Sequence, residues 1–66
     1  MDNNITILKS LKNSLVTNSD SLTNIIFDPK EMINNETMSL ISKPVWNKED
    51  VEKGVLIIQI SNNLYN

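Results

Sequence analysis

Between Asn4 and Thr17 the apolar residues Ile5, Leu8, Leu11 and Leu15 recur at steps of three and four, while Lys9, Lys12 and Asn13 fall elsewhere. That spacing predicts an amphipathic helix, with Asn3 or Asn4 as its cap. The cluster TNSDS, residues 17–21, consists of turn formers and should stop it. Leu22, Ile25 and Ile26 then fit either a short helical turn or an extended segment.

Two later stretches share one grammar. In IFDPKEM, residues 26–32, Asp28 suits a helix N-cap and Pro29 the first helical position, where its missing N–H costs nothing; Glu31 suits the reciprocal capping position. Phe27 and Met32 would be the two ends of a hydrophobic staple. In PVWNKEDV, residues 44–51, Asn47 is the cap, Asp50 stands three residues on, and Trp46 and Val51 are the staple. Both stretches predict a helix start with the incoming chain folded against it. The acids near each start also favour the positive end of the helix dipole. SKPVW, residues 42–46, reads as an extended connector, because Pro44 biases Lys43 away from helix.

The last helix should run from Lys48 toward Leu64. Val51, Val55 and Ile58 form one row and Ile57, Ile60 and Leu64 a neighbouring one, which gives a wide apolar face. A competing pattern exists, since Leu56, Ile58 and Ile60 alternate as in a strand within a β-branched run. The upstream cap and the return of Leu64 at helical spacing favour the helix, although Gly54 weakens it by roughly 1 kcal/mol relative to alanine. The expected fold is therefore all-α, a small bundle of about three helices over residues 1–66. The alternative is α+β, with a C-terminal strand at 55–60. The closing SNNLYN has no glycine cap and keeps Leu64 and Tyr65 apolar, as a natural terminus or the N-terminal fragment of a larger protein can.

Size changes the picture. A chain of 66 residues buries only about 60% of the surface that its unfolded form exposes. Small domains compensate with disulfides, a metal or a partner, and this sequence has no cysteine and no histidine. Burial against a protein partner or a second copy becomes the leading expectation. Six lysines against eight acids give a net charge of −2, which disfavours nucleic-acid binding through a basic surface. No stretch resembles a signal peptide or a membrane span, so the expected location is cytoplasmic. The N-x-[ST] triplets at Asn4 and Asn35 are then accidental.

Eleven asparagines and nine isoleucines, with no alanine or arginine, match codon drift in an AT-rich genome. A low-GC bacterium or one of its phages fits that bias. On this reading the individual asparagines carry little meaning.

Candidate chemistry is sparse. The usual general base, zinc ligands and thiol nucleophile are missing, and the single glycine rules out a phosphate-cradling loop. Glu49, Asp50 and Glu52 are explained by helix-start electrostatics better than by a hard cation, since adjacent helical residues point apart. Catalysis by this chain alone is not expected, and no cofactor is implied. Met32 and Met38 are assigned to the core.

The stretch DVEKGVLIIQISNNLYN, residues 50–66, resembles the N-terminal helical region of NAD-dependent DNA ligases. In that family a helix ending in tyrosine leads to an acidic D-x-x-Y-D motif that helps bind the nicotinamide end of NAD. The resemblance implies that Leu64 and Tyr65 end that helix and that NAD would be the ligand of a longer protein. The acidic motif and the adenylated-lysine motif have no counterpart here.

Three functions follow as expectations. The first is a non-catalytic helical interaction module that buries Val51, Val55, Ile58 and Leu64 against a partner, with Trp46 and Tyr65 at the edge. The second is the N-terminal fragment of an NAD-dependent DNA ligase. The third is a small phage-type inhibitor that presents its acidic surface to a host protein.

Overall fold

A computed structural model describes residues 3–31 and 34–63, with the backbone alone for Asn3, Asn4 and Asn34. Among these residues there are three α-helices and no strand: α1 (Asn3–Asn18), α2 (Asn34–Ile41) and α3 (Lys48–Asn62), with a 3₁₀ turn at Asp20–Leu22 between α1 and α2. The fold is the all-α bundle expected from the apolar spacing.

α1 packs against both other helices, and α2 and α3 pack against each other. The buried apolar core takes Leu8, Leu11 and Leu15 from α1, Leu40 from α2, and Ile57 and Ile58 from α3. Trp46 completes it from the loop into α3 and donates its indole N–H to the Leu40 carbonyl at 3.0 Å. The side chain thus closes the core and ties α2 to the start of α3. Met38, expected inside, is 46% exposed, because Thr37 and Leu40 hold the inward positions of α2. Met32 lies outside the described residues.

α3 settles the choice between helix and strand at 55–60. Asn47 accepts from the Asp50 N–H at 2.8 Å while the Asp50 carboxylate accepts from the Asn47 N–H at 3.0 Å, a complete capping box. Leu56 is 54% exposed and Ile58 1%, so residues that a strand would place on one face lie on different sides. Asn63 ends the helix in the left-handed region, φ 61° and ψ 42°, and its N–H reaches the carbonyls of Gln59 and Ile60. Asparagine tolerates this conformation, so it does the work of a C-terminal glycine. α3 therefore stops at Asn62, short of the expected Leu64.

The first capping stretch behaves differently. Residues 25–29 have no regular structure, 30–31 bend, and α2 begins at Asn34 rather than after an Asp28 cap. The reason is competition for backbone donors. The Asp28 N–H goes to Asn62 Oδ1 at 2.9 Å, and those of Lys30 and Glu31 go to the Ser61 carbonyl at 2.6 and 3.1 Å. The Asp28 carboxylate binds Lys30 Nζ at 2.7 Å instead of a helix start. This segment is a strap fastened to the C-terminal end of α3.

Candidate interaction surface

The strap crosses from α1 to α3. Asn62 on α3, only 2% exposed, donates its carboxamide N–H to the Ile26 carbonyl at 2.9 Å and accepts from the Asp28 N–H. The C=O of one residue and the N–H of the second residue on point to the same side of an extended backbone. The carboxamide therefore offers this backbone the donor and acceptor that the N–H and C=O of one residue in a neighbouring strand would offer. Phe27, between the two bonded residues, lies with its ring 5.6 Å from Lys12 Nζ of α1. That is cation–π range.

None of the seven buried apolar core residues belongs to the strap. Ile25 and Phe27 pack against the core but are only partly buried, and Ile26 is 63% exposed. On α3 the partly buried Val51 and Val55 likewise pack on the core from its flank. Val55, Ile58 and Asn62 follow one another at steps of three and four, so the apolar stripe leads to the strap's fastening point.

The residues expected to form an interface divide accordingly. Ile58 and Trp46, at 1% and 8% exposure, are consumed by the chain's own core and do not form an open stripe. Val51 and Val55 are brought together on the flank of α3. Leu64 and Tyr65, which also carry the ligase resemblance, lie outside the described residues. Sequence reasoning missed Asn62: a polar residue at the end of an apolar helix looks solvent-facing, and no local signal links it to Ile26 and Asp28. Asn63 had a signal, the Asn-Asn pair just past the apolar run. The other exposed large apolar residues, Met38, Val45 and Leu56, come from three separate segments, and isolated ones are ordinary on a folded surface.

An open groove of about 270 Å³ lies between α2 and α3 and is lined by Asn35, Glu36, Ser39, Lys43, Asp50 and Lys53 among others. Its chemistry is balanced. Lys43 Nζ sits 3.0 and 2.9 Å from the two Asp50 oxygens, and Glu36 offsets Lys53. The Lys43 hydrogen bond, and after it the Asn47 N–H, hold the Asp50 carboxyl below its ordinary value, against the opposing effect of partial burial. These contacts belong to the capping box, so the groove is an outgrowth of the α3 start.

Comparison with known families, with curated proteins and with solved structures returns no match to this chain. Among the described residues no helix is long and apolar enough to cross a membrane.

Proposed function

We propose that the protein is a non-catalytic helical interaction module that associates with another protein, or with its own copy, through the flank of α3 around Val51 and Val55 and the strap beside it. One observation carries the reading: Val51 and Val55 pack against the flank of the core yet are only partly buried, in a chain with little else to stabilise it. Apolar area of this kind contributes about 25 cal/mol per Å² when a partner covers it.

The test is association of the full chain, followed by sedimentation and by pull-down. Val55→Asp should weaken association at least tenfold while circular dichroism retains the helices. Val51→Lys, on the same flank, is the second variant should aspartate at 55 loosen the fold. A folded variant that associates as well as the wild type would remove this flank from consideration.

A further inference from the structure

We infer that the partner of the α3 flank is a second copy of this chain, docked antiparallel about a two-fold axis beside Val51, so that Lys48 of each copy meets Glu52 of the other. The inference rests on the interaction-module reading and names its partner. Lys48, Glu52 and Val55 follow at steps of four and three, and Val51 stands three residues after Lys48, so the four share one side of α3. Both valines pack against the core and are partly buried, whereas both charged residues are exposed.

The charges on this side have no partner within one copy. Among the described residues the ion pairs are Asp28 with Lys30 and Lys43 with Asp50, so neither Lys48 nor Glu52 has one. Their order is the weaker one within a helix, where an acid four residues before a lysine pairs better than the reverse. Lys48 also opens α3, at the end of the helix dipole that disfavours a cation. Asp50, in the same turn, is already held by Lys43 and the Asn47 N–H, and Glu49, next in sequence, stands on another side of the helix. A lysine followed by an acid along one face is self-complementary when that face meets its own copy antiparallel. A two-fold axis makes every contact twice, so Lys48 against Glu52 also brings Glu52 against Lys48. The axis then passes beside Val51, and the paired charges form a polar rim to an apolar centre.

The experiment is sedimentation equilibrium of the full chain, which should show a dimer. Lys48→Glu and Glu52→Lys, each alone, set like charges against each other twice and should weaken dimerisation at least tenfold. An equimolar mixture of the two variants sets the two acids of one copy against the two lysines of the other, and should restore the wild-type affinity. A charge effect confined to one helix cannot produce that rescue. Helix content is followed by circular dichroism throughout. Both positions are exposed, and Lys48→Glu places an acid where the helix dipole favours it, so the fold should survive each change. A monomeric wild type, single variants that dimerise as the wild type does, or a mixture that stays monomeric would overturn the inference. A monomeric wild type that still binds another protein through Val55 would leave the module reading standing and remove only the second copy.

Discussion

Gly54 shows how far one residue's meaning depends on its neighbours. In isolation it weakens α3 by roughly 1 kcal/mol relative to alanine. In the fold, a Cβ at this position would lie 2.8 Å from Leu15 Cδ2 and 3.2 Å from Trp46 Cζ3. Leu15 is fully buried, so its side chain has little freedom to yield. Overpacking costs about 1–3 kcal/mol, which exceeds the propensity gain. Gly54→Ala should therefore lower stability by about 1 kcal/mol in urea denaturation, although it improves the helix. Ser61 is the opposite case. Its side-chain oxygen is buried and has no hydrogen-bond partner among the described residues, while its carbonyl fastens the strap. An unsatisfied buried hydroxyl costs about 1–3 kcal/mol, and alanine keeps the carbonyl and is the better helix former. Ser61→Ala should stabilise the protein by about 1 kcal/mol, raising Tm by roughly 4–8 °C for a domain of this size. An unchanged or lower Tm would show that the hydroxyl is satisfied.

Among the elements, α3 is the one whose boundaries follow from local chemistry. Asn47, Asp50 and the residues between them form a capping box in a stretch of four, and Lys43 reaches forward to the same carboxylate across the Pro44 bend. The Asp50 carboxyl is held below its ordinary value of 3.8, chiefly by the Lys43 hydrogen bond. A depressed carboxylate contributes stability above its unfolded pKa and loses it as pH falls through the folded one. Wild-type stability should accordingly fall as the pH drops below about 3.8, with the slope reduced in Asp50→Asn. Equal slopes in the two proteins would assign acid sensitivity to other groups. The same grammar at Asp28 produces no helix start. A capping signal states a local preference of about 1 kcal/mol, and the hydrogen bonds from α3 to Asp28, Lys30 and Glu31 together outweigh it.

At the scale of the whole molecule, the helices and Trp46 supply the buried apolar core, and the strap and the outer flank of α3 pack against it. This division splits the apolar face of α3 between core and flank. The apolar face of α3 was legible from its spacing, but a helix of this width has two neighbouring surfaces to satisfy. α1 and Trp46 take Ile58, leaving Val51 and Val55 at the side. Which part of an amphipathic face is core and which is flank depends on the position of the other helices.

The sequence by itself determined the helical class, the course of α1 and the start of α3, because apolar periodicity and capping act over a few residues. Its asparagines look interchangeable in composition. Asn18 nevertheless donates to the Ser14 carbonyl, Asn47 starts α3, Asn63 ends it and Asn62 holds the strap. Only the tertiary structure decided the last of these, together with the strap itself, the need for Gly54 and the burial of Ile58. Each of those rests on contacts between residues far apart in the chain, such as Asn62 with Ile26 or Gly54 with Leu15, whose energies no local pattern encodes.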